Sequence, residues 1–249
     1  MINVLINGCN GKMGQTVVKS ISQNNEFSVL VGIDRLDTGD NAFPVYTNIQ
    51  EITEVPDVII DFSSPAYTFL ALDYAKEKNI PVVIATTGFT DEELGKIKTY
   101  TKFIPIFKSA NMSYEVNIMA DIVSKLASSL PDSDIEIIET HHNKKVDAPS
   151  GTALLLADSI NSTLNNEMKY EYNRHSKKEK RDKKEIGIHS IRGGTEVGKH
   201  TVLFLGENES FEITHTSNSR DIFANGALKA AKFIITKGPG FYNMNDMIK

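Results

Sequence analysis

The chain has 249 residues, 40% of them hydrophobic and 24% charged, which is ordinary globular usage and excludes a disordered, collagen-like or low-complexity chain. With 27 basic against 32 acidic residues the formal net charge is −5, so nucleic acid is not an expected partner. A single cysteine, Cys9, excludes an internal disulfide and a multi-cysteine zinc site, and suits a reducing compartment.

The sequence opens Met1-Ile2-Asn3-Val4-Leu5-Ile6, with no basic leader, and no apolar run approaches the roughly 18 residues a membrane span requires. A soluble, cytoplasmic protein is expected. Short β-branched runs then alternate with amphipathic stretches, which predicts strands at 2–7, 28–33, 57–62, 81–85 and 103–107. Helices are expected between them at 13–24, 65–78 and 90–101, the second entered by Ser64-Pro65. Strands alternating with helices build a parallel sheet, so the fold class expected is α/β, with a Rossmann-like N-terminal domain.

From about residue 113 the rhythm changes. A helix over 113–129, a strand at 134–141 and a helix over 151–164 precede strands at 186–192, 199–206 and 209–217, which reads as an inserted α+β domain with an antiparallel or mixed sheet. Between them, Arg174 to Lys184 carries a net charge of +5 and reads as a solvated loop; it lacks the interleaved aromatics of a nucleic-acid patch. Arg220 to Thr236 is helical again and is closed by Gly238-Pro239-Gly240. A last helix of this kind returns to the first domain, giving 1–112 with 221–249 as a dinucleotide-binding domain and 113–220 as a substrate domain. Hinges are expected near 111–113 and 219–222.

Gly8-Cys9-Asn10-Gly11-Lys12-Met13-Gly14 leaves the first strand and opens the first helix, so its backbone N–H groups can receive a pyrophosphate. The spacing is GxxGxxG rather than GxGxxG, and a ligand-free tight turn is the competing reading. Asp34 supports the nucleotide reading, because it ends the second strand 20 residues beyond Gly14, where a carboxylate accepts from an adenosine ribose. Arg35 beside it suits a 2′-phosphate, so both NADH and NADPH are expected to be accepted. Thr86-Thr87-Gly88-Phe89 and Ser109-Ala110-Asn111-Met112 fall at the C-terminal ends of later strands, the edge at which such sheets bind ligands.

The most specific stretch is Glu139-Thr140-His141-His142-Asn143-Lys144-Lys145-Val146-Asp147-Ala148-Pro149-Ser150-Gly151-Thr152-Ala153. Two imidazoles and two ammonium groups make a cationic cluster, and Ser150 as N-cap leaves the first-turn amides of the next helix as a second anion receptor. Such a site suits a dicarboxylate. Like-charge crowding is expected to disfavour the charged forms of the histidine and lysine and move them toward general-acid strength. A metal is not expected: His141 and His142 point to opposite faces of a strand, and no HExxH-type pattern accompanies them. No role is read for His175, His189, His200 or His215.

These segments together resemble the 4-hydroxy-tetrahydrodipicolinate reductase family, also called dihydrodipicolinate reductases, over nearly the whole chain. The resemblance rests on GCNGKMG at the start, ATTGF at 85–89, SANMS at 109–113, ETHHNKKVDAPSGTA at 139–153 and ITHTSNSRDIFANGAL at 213–228. It implies reduction by NADH or NADPH in diaminopimelate and lysine biosynthesis, a cyclic dicarboxylate substrate, and a homotetramer built through the sheet of the central domain. It further implies that His141 and Lys145 donate the proton, that His142 contacts substrate, and that Gly151 and Thr152 bind a substrate carboxylate. Cofactor contacts are implied for Gly8, Cys9, Asn10, Gly11, Lys12, Met13, Asp34, Arg35, Ala85, Thr86, Thr87, Ser109, Ala110, Asn111 and Met112. Ala85 stands where glycine is commoner in the family, and Asp34 where glutamate is frequent. The rivals are a Rossmann dehydrogenase of an amino acid or polyol, and a non-catalytic nicotinamide sensor.

Overall fold

The structure is a computed structural model that describes residues 1–248. In chain order its elements begin β1 (Ile2–Asn7), α1 (Lys12–Ser22), β2 (Phe27–Ile33), β3 (Val45–Tyr46), a 3-10 turn (Ile49–Glu51), β4 (Val58–Asp61), α2 (Pro65–Lys78) and β5 (Val82–Ile84). They continue α3 (Asp91–Tyr100), β6 (Pro105–Lys108), α4 (Tyr114–Ser129), β7 (Asp134–His141), α5 (Gly151–Thr163), β8 (Lys169–Glu171) and β9 (Glu185–Arg192). The chain ends with β10 (Gly198–Leu205), β11 (Ser210–Ser217), α6 (Asp221–Ile234), β12 (Gly240–Tyr242) and α7 (Met244–Ile248). Among the described residues no helix is long and apolar enough to cross a membrane.

The chain divides into two compact units, Met1–Ser113 with the segment from Asp221 onward, and Tyr114–Arg220. In the first, seven parallel strands lie in the order β12-β6-β5-β4-β1-β2-β3. The order reverses between β1 and β4, and in open parallel sheets ligands bind at the carboxyl ends beside such a switch. Val4, Leu5, Ile6, Val58, Ile59, Ile60, Val82, Val83 and Ile84 are fully buried, as strands covered on both faces require. Helix α3 starts with a reciprocal capping box: Glu93 N–H donates to Thr90 Oγ1 at 3.2 Å, and Thr90 N–H to Glu93 Oε2 at 2.7 Å. Helix α6 presents Ala224, Gly226, Ala227, Ala230 and Ala231 to the interior, and these small side chains let it pack closely on α1 and on β4 to β6.

The second unit is a five-stranded mixed sheet in the order β11-β10-β7-β9-β8. β10 pairs antiparallel with β11 and β7, while β9 runs parallel to β7 and β8. Along β7 burial alternates strictly, so Ile135, Ile137, Glu139 and His141 share one face. The aliphatic part of that face packs with Met119, Val123, Leu156 and Ile160 of α4 and α5. His189 and Ile191 of β9 and Leu205 of β10 are exposed.

β3, the 3-10 turn, β8, β12 and α7 were absent from the sequence expectations, being too short to carry a hydrophobic period. Gly238-Pro239-Gly240 does end α6, but Gly240 also begins β12, which becomes a strand only because the β6 edge is there to pair with it. The basic stretch is a loop, as its charge run implies, with Lys178, Lys180, Lys183 and Lys184 exposed, but three of its cations are half-buried and paired. Arg174 pairs with Glu185, and Lys177 bridges Glu171 and Glu185, which flank the loop. Arg181 folds back onto Glu136 at 3.0 Å, Asp134 at 2.9 Å and the carbonyl of Glu185 at 2.6 Å. Only the β7 partners of Arg181 are distant in sequence.

Candidate active site

The loop after β1 is shaped by two glycines for different reasons. Gly8 has φ +83°, and a Cβ there would lie 2.7 Å from the carbonyl oxygen of Phe62 at the end of β4. At Gly14, inside α1, a Cβ would lie 2.1 Å from the Gly8 oxygen, so helix and loop approach each other more closely than any side chain permits. The N-cap of α1 is Gly11, and no acidic residue occupies its first turn, which keeps the helix N-terminus receptive to anions.

A cavity of about 350 Å³ opens beside this loop at the switch point, lined by Gly8, Asn10, Gly11, Asp34, Arg35 and the Phe62–Tyr67 turn among others. Asp34 accepts from Asn10 N–H at 2.8 Å through Oδ2 and from Arg35 N–H at 2.8 Å through Oδ1. The Arg35 guanidinium lies 5.4 Å from the ring centroid of Tyr67, on the opposite wall. These residues fit a nucleotide: a glycine edge at a helix N-terminus, a carboxylate for a ribose and a guanidinium beside it. Cys9 turns its side chain inward instead, and burial pushes its thiol up to about 12, so only its backbone can face a ligand. Lys12 is exposed and Met13 half-buried; neither lines the cavity.

Thr86 and Met112 are buried, Thr87 is exposed, and Ala85 N–H is bound to the Asp61 carbonyl. Ser109 and Ala110 follow β6 and line a second cavity of about 260 Å³ with Lys108 and Phe241. Asn111 Oδ1 accepts from Ser113 N–H at 2.9 Å. Asp61, wholly buried at the end of β4, ties this edge together by accepting from Asn7, Ser63 and Thr68. Burial raises its carboxyl pKa, against the opposing pull of the Ser63, Thr68 and Thr86 hydrogen bonds.

In the second unit the end of β7 and the start of α5 are joined by one carboxylate. Glu139 is fully buried and accepts from Arg192, Ser150, His141 and Ser190. Oε1 takes Arg192 Nη2 at 2.7 Å and Ser150 N–H at 3.1 Å; Oε2 takes Arg192 Nη1 at 2.8 Å and lies 2.5 Å from His141 Nδ1. Ser150 is the N-cap of α5, its hydroxyl accepting from Ala153 N–H at 3.2 Å and meeting His200 Nε2 at 3.0 Å. The His141 and His200 rings stand edge to face with centroids 5.1 Å apart. Gly151, the first helical residue, is exposed, with nothing within 4 Å of where a Cβ would stand.

Burial opposes the Glu139 charge, but the hydrogen bonds from Arg192, Ser190, His141 and the Ser150 amide outweigh it and hold the carboxyl at about 2. Burial lowers His141 and outweighs the pull of Glu139 in the other direction. The dominant cause is therefore desolvation, with the like-charge crowding expected from sequence a smaller contribution from Lys145 and Arg192. Lys145 has an anionic neighbour as well: its Nζ lies 2.8 and 2.9 Å from the two oxygens of Asp147. His142 is half-buried and Lys144 exposed.

Glu139 and His200 carry a pH signature. Burial, reinforced by His141, depresses His200 from 6.5 to about 4, and Glu139 falls from 4.5 to about 2. A group whose folded value is depressed stabilises the fold above its unfolded value and loses that contribution as pH falls. The urea midpoint of this unit should therefore decline from pH 6.5 toward 4 as His200 charges, then again from 4.5 toward 2. His200→Gln should shrink the first decline to the part contributed by His141, whose value burial also lowers, and leave the second.

Three residues of this cluster had been given no role from sequence. Glu139 was visible as the same-face neighbour of His141, two positions back on a strand. His200 and Arg192 were not, since only the pairing of β10 and β9 beside β7 brings them there.

A seven-stranded parallel sheet with a glycine-edged cavity at its switch point defines a Rossmann-type nucleotide-binding protein, and its second unit adds a cationic site at a helix N-terminus. The chain belongs to the dihydrodipicolinate reductase family: residues 2–112 match the family described as "Dihydrodipicolinate reductase, N-terminus" and residues 115–248 its C-terminus. It is 51% identical over 250 residues to the 4-hydroxy-tetrahydrodipicolinate reductase of Caldanaerobacter subterraneus subsp. tengcongensis, covering 100% of this chain and 99% of that one. The enzyme of the same name from Staphylococcus epidermidis is 44% identical over 246 residues, 99% of this chain and 100% of that one. Among solved structures, dipicolinate-bound dihydrodipicolinate reductase from Paenisporosarcina sp. TG-14 superposes with TM-score 0.83 at 28% identity, covering 98% of this chain and 99% of that chain. A Corynebacterium glutamicum myo-inositol dehydrogenase, 16% identical with TM-score 0.61 over 100% of this chain and 92% of its own, shares the fold alone.

Proposed function

We propose that this protein catalyses the NAD(P)H-dependent reduction of 4-hydroxy-tetrahydrodipicolinate, by way of dihydrodipicolinate, to tetrahydrodipicolinate in diaminopimelate and lysine biosynthesis. The observation that carries the reading is the union, through Glu139, of the His141 strand end with the exposed N-terminus of α5. A proton donor and an anion receptor are thereby held in one rigid arrangement, as a dicarboxylate substrate requires. The family to which the chain belongs supplies the identity of the substrate.

A bound reduced nicotinamide nucleotide would supply the hydride. In the first unit the Gly8 to Met13 loop would hold the pyrophosphate, through Gly8, Asn10 and Gly11 where it lines the cavity, Asp34 and Arg35 would hold the adenosine end, and Ala85 to Thr87 with Ser109 to Met112 would hold the nicotinamide end. In the second unit Gly151 and Thr152 bind one substrate carboxylate and His142 contacts the substrate. His141 or Lys145 protonates the carbon beside the one reduced, and the surrounding positive charge stabilises the negative charge that develops there. The protein works in the cytoplasm as a homotetramer, to which the uncovered sheet face bearing Ile191 and Leu205 contributes.

The test is absorbance at 340 nm with enzymatically generated substrate and each cofactor in parallel. Oxidation of NADH or NADPH that depends on the dicarboxylate supports the reading. Binding without consumption would make the protein a sensor, and reduction only of a substrate lacking two carboxylates would make it another dehydrogenase. Arg35→Ala should weaken NADPH about tenfold, the loss of one charge-assisted contact, and leave NADH within about twofold. Equal weakening of both would remove Arg35 from the 2′-phosphate.

A further inference from the structure

We propose that Glu139, clamped by Arg192, is the positioning residue of the proton transfer: it fixes His141 with hydrogen on Nδ1, so that Nε2 alone exchanges the transferred proton. This rests on the reading of His141 as a proton donor and assigns how that donor is set.

The argument is an inventory of donors and acceptors. An ionised carboxylate only accepts. Around Glu139, Arg192 Nη1 and Nη2 and the Ser150 amide are obligatory donors, and with the Ser190 hydrogen bond they hold the carboxylate in its charged form. His141 Nδ1, at 2.5 Å, must then be a donor as well, which fixes the tautomer. The guanidinium binds in a bidentate fork, so the carboxylate is fixed in rotation as well as in charge. Nε2 is left as the exchanging nitrogen. Beside it stands Gly198, where a Cβ would come within 3.0 Å of Nε2, so this glycine keeps the approach to that nitrogen clear.

The step balances simply. Imidazolium His141 gives the Nε2 proton to the carbanionic ring carbon, one N–H bond breaking and one C–H bond forming. The ring is left neutral with Nδ1–H still on Glu139, and Nε2 is reprotonated from solvent. Glu139 itself never takes the proton, because the Arg192 fork holds it charged. The same carboxylate accepts the Ser150 amide, so the donor nitrogen and the N-terminus of α5 are positioned by one group.

The charged and titratable groups that face His141 are Glu139 on β7, Arg192 on β9, His200 on β10 with His215 of β11 beside it, and Lys145 in the following loop. Glu139 is the one anion in that set, and it draws the imidazole toward its charged form against burial and the cations. Removing its charge should therefore lower the His141 pKa further.

Glu139→Gln tests this, with His141→Ala in parallel. An amide keeps one accepting oxygen and replaces the other with an NH2 that only donates, so the all-acceptor set around position 139 cannot be rebuilt. We expect kcat to fall about 10²-fold or more, as loss of a positioned acid does, with KM for both substrates within about threefold. The alkaline limb of the kcat/KM profile, where the imidazolium is lost, should move to lower pH, and the 15N imidazole spectrum of His141 should lose its single Nδ1–H tautomer. A merely structural role for Glu139 would lower stability and leave tautomer and pH profile in place. Arg192→Lys, which keeps the charge but not the fork, provides a second variant should Glu139→Gln not fold; its kcat should fall about tenfold with the same tautomer change. If His141→Ala is inactive while Glu139→Gln, or Arg192→Lys in its place, keeps wild-type kcat, pH limb and tautomer, the positioning role is overturned. If His141→Ala itself keeps full turnover, the reading of His141 as the donor fails instead.

Discussion

His141→Ala and Lys145→Ala should each lower turnover by about 10²–10⁴-fold while leaving nicotinamide-nucleotide affinity within about twofold of the parent. The asymmetry follows from the division of the chain. Both side chains belong to the Tyr114–Arg220 unit, whereas the glycine loop and Asp34 belong to the other. His141 has its Nδ1 engaged by Glu139, so truncation removes the exchanging nitrogen and also deprives a buried carboxylate of one of its donors. Some loss of stability should accompany the loss of rate. Lys145 is held only by the exposed Asp147, and its truncation should cost turnover with little change in melting temperature. Stopped-flow hydride transfer with fluorescence titration of the cofactor separates the two quantities. An equal loss of cofactor affinity in either variant would remove that residue from the proton-donating pair.

Gly14→Ala should be the most damaging single methyl group in the nucleotide-binding unit. Its Cβ would lie 2.1 Å from the Gly8 oxygen and 2.8 Å from both the Cα and the oxygen of Cys9, and all three are backbone atoms with no rotamer to escape into. Overpacking of this kind costs about 1–3 kcal/mol or more, and here the relief available is displacement of the loop that meets the nucleotide. Both urea stability and cofactor affinity should fall. Gly11 differs, since a Cβ there would meet only the Gly8 oxygen, at 3.3 Å. Gly11→Val should fold normally yet bind the cofactor weakly, because its side chain would intrude on the pyrophosphate path. Equilibrium unfolding alongside nucleotide titration distinguishes the two glycines, and normal cofactor binding by Gly11→Val would overturn the role given to the loop.

Much of this protein was decided locally. The β-branched runs of β1, β4 and β5 and the helix periods between them define parallel α/β architecture, and the GxxGxxG turn followed by Asp34 places a nucleotide edge after β1. The Ser150 N-cap was likewise legible, because an N-cap hydroxyl reaches only three residues along its own chain. The alternation along β7 puts His141 on its buried face, while His142 lies just beyond the strand and is half-buried.

What sequence could not supply were partners from other strands. Arg192 and His200 reach the end of β7 only because β9 and β10 flank it, and pairing between strands some 50 residues apart leaves no local trace. The partner of Lys145 was hidden for a related reason, since it depends on where the loop turns, and it turns Asp147 onto Lys145. The basic stretch is the exposed loop its charges imply, except that the sheet brings Asp134 and Glu136 of β7 onto Arg181. Residue types and their periods thus fixed the elements and the kind of chemistry. Tertiary structure decided which charges are compensated, because electrostatic pairing depends on distance in space rather than on separation along the chain.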